Sequence, residues 1–158
     1  SFPTGIFDVV RMNHVIEHLH DPIHTLRECY RVLKPGGGLV IYTPNIASWG
    51  HRFGFQNAWL SLDPPRHLNL FSARTLKLIG ERVGFRVDAA YTTSRGASHT
   101  WMTSWRIRQD GILSLDWRRD LPWRVHIQAL IAHALEAMFC RVRNIGEDLE
   151  MVAVKEPQ

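Results

Sequence analysis

The chain has 158 residues, 45% hydrophobic and 22% charged, with a formal net charge of +4. This is an ordinary soluble globular composition, long enough for one domain with a core of its own. No apolar run reaches the ~18 residues of a membrane span, and no dense Lys/Arg run marks a nucleic-acid patch. The two cysteines, Cys29 and Cys140, are far apart and form no CxxC, so buried free thiols and a reducing, cytoplasmic setting are expected. The first residues, Ser1 to Gly5, have neither the charged nor the apolar region of a signal peptide.

Taken in order, Ile6 to Met12 is a short apolar run with β-branched residues, suiting a strand buried on both faces. A polar stretch, Asn13 to His20, follows it. Asp21-Pro22 supplies an N-cap and a proline at the first helical position, and Ile23, Leu26, Tyr30 and Leu33 then recur at helical spacing. Gly36 to Gly38 is expected to stop that helix and turn the chain into a second buried strand, Leu39 to Thr43. Strand, helix and strand in this order make a right-handed parallel crossover. Pro44 to Leu70 is a long aromatic segment with Trp49, Phe53, Phe55 and Trp59, of the kind that is functional or holds short helices.

Ser72 caps a helix carrying Leu76, Ile79 and Val83, and Gly84 ends it. Phe85 to Thr92 alternates as a strand with Phe85, Val87, Ala89 and Tyr91 on one side. Thr93 to Pro122, with Trp101, Trp105 and Trp117, is expected to be irregular. Val125 to Arg143 predicts a long helix, apolar around most of its circumference, which favours burial over membrane contact. Asp148 to Lys155 closes the chain as a strand, with Leu149, Met151 and Ala153 alternating against Glu150, Val152 and Val154. The sequence supports one domain with an insertion at about 93–147.

Several stretches together resemble the second half of a class I S-adenosylmethionine-dependent methyltransferase of the ubiquinone-biosynthesis-like subgroup. They are Phe7-Asp8-Val9-Val10, the loop Asn13 to His18 with its Glu-His pair, and Arg31-Val32-Leu33-Lys34-Pro35-Gly36-Gly37, similar to the family's LKPGG turn. Pro65-Arg66-His67, Phe71-Ser72, Gly84-Phe85 and Val152 to Lys155 continue the match, which covers about 1–92 and 148–156. The resemblance implies an incomplete Rossmann-like α/β fold, strands four to seven in the order fourth, fifth, seventh, sixth, with the last antiparallel. The family's Gly-x-Gly-x-Gly loop and ribose-binding acid have no counterpart in the 158 residues. Gly36 to Gly38 cannot stand in for that loop, because it follows a helix and precedes a strand. Residues 1–158 therefore read as the carboxyl-terminal part of a methyltransferase domain.

The resemblance implies methyl transfer from S-adenosylmethionine to a small-molecule acceptor, by a complete parent protein. Asn13, His14, Val15 and His18 are the implied cofactor contacts, His67 the implied general base, and Asn45, Trp59 and Arg66 the implied acceptor contacts. Open α/β sheets bind ligands beyond the carboxyl ends of their strands, where Asn13 to Val15 lie. The other readings are a catalytically silent binding module and, from His14-Val15-Ile16-Glu17-His18, metal-dependent hydrolysis. That pattern needs a regular helix, for which the stretch between a strand and Asp21-Pro22 has no room; a divalent ion held by some of His14, Glu17 and His18 is the runner-up, and no metal ligand is assigned. No nucleic-acid partner is expected. The apolar edge of the first strand, left without a neighbour, predicts self-association there or through the long helix.

Overall fold

A computed structural model describes residues 2–111 and 121–157, with the side chains of residues 141 and 142 left out. Trp117 lies outside the described residues. The Asp21 carboxylate accepts the His24 N–H at 2.8 Å, so helix α1 (Pro22–Val32) starts where the sequence predicts. Leu26, Cys29 and Val32 form its buried face. The Ser72 hydroxyl and Thr75 cap each other's backbone at the start of α2 (Ala73–Val83), and Gly84 ends it at φ +112°.

Four strands form one sheet: β1 (Phe7–Asn13), β2 (Leu33–Pro44), β3 (Arg86–Thr93) and β4 (Asp148–Val154). Their order is β1-β2-β4-β3. β1 and β2 are parallel, and β4 is antiparallel to both β2 and β3. The antiparallel last strand therefore lies between its two neighbours as expected. Leu39, Ile41, Leu149, Met151 and Ala153 of the central strands meet Leu26, Leu33, Leu76 and Phe85 in the core. Cys29 and Cys140 are buried free thiols.

Four expectations need correction. The glycines do not stop α1. It ends at Val32, Leu33 is already extended, and β2 begins there. The pairing Phe7↔Leu33 then jumps to Val9↔Gly38, so Lys34 to Gly37 form a bulge. Gly36 takes φ +80° in it, and a Cβ on Gly37 would lie 2.9 Å from the Lys34 carbonyl. The glycines are needed for that bulge rather than for a helix end. Second, β1 is not buried on both faces: Val9 is 60% exposed, and β2 is its one partner among the described residues.

Third, β3 does not keep one alternation. Its register slips between Val87 and Ala89, which flips the later side chains, so Val87 and Ala90, not Ala89, pack on the core. Fourth, 93–122 is not all irregular. Helix α3 spans Ala97–Asp110 and buries Ala97, Thr100, Thr103 and Ser104. Helix α4 (Trp123–Arg143) packs against it, beginning two residues before the expected Val125 and ending at Arg143 as expected. No helix among the described residues is long and apolar enough to cross a membrane.

Candidate functional site

β1 ends at Asn13, paired to Tyr42, and β2 ends two residues further on at Pro44. β3 ends at Thr93, and β4 begins opposite it at Asp148. The 13–20 loop, the segment after Pro44, the turn after Thr93 and the start of β4 thus meet at one sheet edge. A cavity of about 280 Å³ opens there, lined by His14, Pro44, Asp63, His67, Gly96 and Asp148 among others. In open α/β sheets ligands bind beyond the carboxyl ends of the strands, which is where this cavity lies.

His14 turns the chain out of β1 at φ +51°, a conformation that costs a non-glycine residue energy and recurs at functional sites. Its N–H donates to the Tyr42 carbonyl at 2.9 Å. Its Nδ1 lies 3.2 Å from the buried Glu17 carboxylate. That hydrogen bond raises the His14 pKa, against the opposing effect of burial. Burial pushes Glu17 up, but the hydrogen bonds from His14, the backbone and Thr43 outweigh it, and the net shift is downward. The Glu17 carbonyl also accepts the Leu68 and Asn69 N–H groups, tying the loop to the 60–70 segment.

That tie brings His18 and His67 together, with ring centroids 4.7 Å apart. His18 Nδ1 donates to the Arg66 carbonyl at 2.9 Å, and His67 Nδ1 to the Ser61 carbonyl at 2.7 Å. Each bond selects the tautomer that leaves Nε2 with a lone pair. Asp63 lies 4.0 Å from His67 Nε2 and pairs with Arg66 at 2.8 Å. Glu17, His18 and His67 offer ligand atoms within 4.8 Å of one another, a set that could hold a divalent cation. The resemblance implied His67 as a site residue, but its contact with His18, about fifty residues away, could not be read from spacing.

Asp148 also went unrecognised in the sequence, where it reads as the start of a strand. It accepts from the Tyr42 hydroxyl at 3.3 Å and the Gly96 N–H at 3.0 Å, and burial raises its pKa. Of the implied acceptor contacts, Arg66 is exposed at the site, but Asn45 and Trp59 have other work. Asn45 is fully buried, its amide donating to the Asn144 and Gly146 carbonyls. Trp59 is 1% exposed and donates its indole N–H to Glu147 at 2.7 Å. Both side chains are thus held by hydrogen bonds inside the fold, and Trp59 also lines a cavity of about 320 Å³ with Leu60 and Asp63. Asn13, Val15 and His18 are exposed on the loop.

The model of the methyltransferase domain family matches residues 1–90. A protein of Mycolicibacterium smegmatis named "Probable S-adenosylmethionine-dependent methyltransferase" is 30% identical over 96% of this chain and 59% of its own length. A ubiquinone biosynthesis O-methyltransferase of Xanthomonas oryzae is 48% identical over 42 residues, 27% of this chain and 18% of that protein. The chain thus spans less than two thirds of the curated relatives it matches. Among solved structures, an S-adenosylmethionine-dependent methyltransferase from Archaeoglobus fulgidus superposes with a TM-score of 0.55 at 23% identity, over 97% of this chain and 61% of that one. Haemonchus contortus phosphoethanolamine N-methyltransferase 2, solved with S-adenosylhomocysteine, gives 0.57 at 17% identity, over 100% of this chain and 35% of its own. These structures share the fold, and the sequence match settles the family: the chain belongs to the methyltransferase domain family, whose relatives here are S-adenosylmethionine-dependent enzymes.

Proposed function

We propose that the chain is the acceptor-side half of an S-adenosylmethionine-dependent methyltransferase acting on a small molecule. Its strands then correspond to the family's fourth to seventh, and residues 93–147 to an insertion. The observation that carries this reading is the His14–Glu17 loop, hydrogen-bonded in place at the carboxyl edge of two parallel strands and lining a cavity with His67. Asn13, His14, Val15 and His18 would contact the cofactor. When bound, S-adenosylmethionine supplies a methyl group already activated on a sulfonium. The chain's residues need only orient the acceptor and, where it carries a proton, remove it. His67 is suited to that step: Ser61 holds its Nδ1–H, Nε2 is left as the base, and Asp63 stands ready to stabilise the imidazolium.

The test is methyl transfer by the longest chain the gene encodes. His67→Ala is expected to lower kcat by about 10²-fold, the lower end of general-base effects, with S-adenosylhomocysteine affinity nearly unchanged. Unchanged turnover would remove His67 from the site. A second reading is favoured by the Glu17, His18 and His67 cluster: a divalent ion held there, which would polarise an acceptor oxygen. Calorimetry with Mn²⁺ or Zn²⁺ distinguishes the two, since binding lost in His18→Ala favours the ion and no binding favours the base. Localisation in the cytoplasm and self-association belong to the same proposal, and the catalytically silent module is the alternative to it.

A further inference from the structure

A second cavity, of about 320 Å³, is lined by Trp49, Phe53, Trp101, Ile131, Ala132 and Glu136 among others. None of its lining residues lines the cavity at the His14 loop. It lies between the single helical turn Gly50–Phe55, α3 and α4, and its volume is at the small end of the range for small-molecule pockets. Phe53 is 75% exposed and Ile131 is exposed as well, so the mouth opens to solvent between apolar side chains. The polar groups in the wall are Gln128, which is exposed, Glu136, which is 2% exposed, and the indole N–H groups of Trp49 and Trp101. Trp101 Nε1 is buried without a hydrogen-bond partner among the described residues, a second donor for an oxygen acceptor.

Glu136 is an unusual group to keep in such a wall. Its Oε2 accepts the Glu147 N–H at 3.1 Å, which commits one oxygen. Glu147 is itself buried, and Asp148 follows it. Among the described residues no Lys, Arg or His forms an ion pair with either glutamate. Burial first, and then the Glu147 charge, pushes the Glu136 carboxyl far up, so it is protonated near neutral pH. A protonated carboxyl has an O–H to donate, and methyl transfer at the other cavity makes no use of it.

The geometry points to a second ligand site in this cavity, for a neutral and largely apolar molecule that presents one oxygen acceptor to the Glu136 carboxyl. A purely hydrocarbon ligand would leave the buried O–H without a partner. An anion would meet the Glu147 carboxyl, which lies against Gly50 of the wall. An ammonium ion would gain from the faces of Trp49, Phe53 and Trp101, but it would first have to ionise Glu136 and lose its own hydration. The neutral ligand meets neither cost.

The probe is 6-propionyl-2-(dimethylamino)naphthalene, a neutral fluorophore with one ketone oxygen. Its ketone-free parent, 2-(dimethylamino)naphthalene, is the control, and both are titrated into the longest chain the gene encodes. The ketone is expected to bind one saturable site with blue-shifted emission, and more tightly than the parent. Glu136→Leu should weaken the ketone about ten-fold and leave the parent within about two-fold, the effect of one lost hydrogen bond. Ala132→Phe, which fills the cavity, should weaken both by more than about ten-fold. Near-UV circular dichroism checks that each variant is folded. If Glu136→Leu does not fold, competition by (2-naphthyl)trimethylammonium against the ketone in the unaltered protein decides instead. No saturable binding, unchanged binding in Ala132→Phe, equal affinity for ketone and parent, or tighter binding of the ammonium would each overturn the inference. None of these readouts depends on methyl transfer, so the two proposals fail separately.

Discussion

At the scale of single residues, the carboxyls of this chain fall into two kinds. Glu17 is buried but well supplied with donors, and its net shift is downward. Its contribution to stability is therefore present above its ordinary pKa and lost as pH falls through its lowered one. Glu136 is the reverse case. Its folded pKa is raised, so folding takes up a proton, and stability falls as pH rises from the ordinary carboxylate value towards the raised one. Glu136→Gln keeps an acceptor for the Glu147 N–H and removes the titration. It should leave Tm unchanged near pH 5 and raise it near pH 8.5, as read by thermal melts at the two pH values. An equal effect at both would mean that Glu136 does not titrate in this window. His14 links this scale to function, because a strained backbone, a buried partner and a place on the cavity wall coincide in one residue.

At the scale of elements, the capped helices behave as units that can be tested one at a time. Ser72→Ala removes the hydroxyl half of the α2 cap and should cost about 1 kcal/mol in chemical denaturation. No loss would mean that Thr75 and water satisfy the helix start without it. The same elements show what the sequence made legible. Caps and apolar stripes act locally, so α1, α2, α4 and the alternation of β4 could be read directly. α3 could not, because its buried face is Ala97, Thr100, Thr103 and Ser104 and carries no hydrophobic period. The bulges at Lys34–Gly37 and near Asp88 were also hidden, since a slip in register depends on the partner strand. For the site, the Asn13–His18 loop was legible from its place after a strand. His67 was named through the resemblance, the loop's other partners Asp63 and Asp148 come from distant segments, and Asn45 and Trp59 face inward for reasons that only packing reveals.

At the scale of the whole molecule, the sheet carries its catalytic promise at one edge and a docking liability along its side. β1 pairs with β2 alone among the described residues and exposes Val9, with Ile6 exposed just before it. Such an edge accepts another strand. Sedimentation velocity on the 158 residues should show a dimer or larger species that Val9→Lys reduces, and a single monomeric boundary would dismiss the idea. The central claim is that the Asn13–His18 loop is one wall of an S-adenosylmethionine site. Calorimetric titration with S-adenosylhomocysteine tests it most directly, using the longest chain the gene encodes beside the 158 residues alone. The account predicts micromolar binding by the long chain, weakened by Asn13→Ala, and none by the 158 residues. Absence of binding by both would contradict it and leave the silent module.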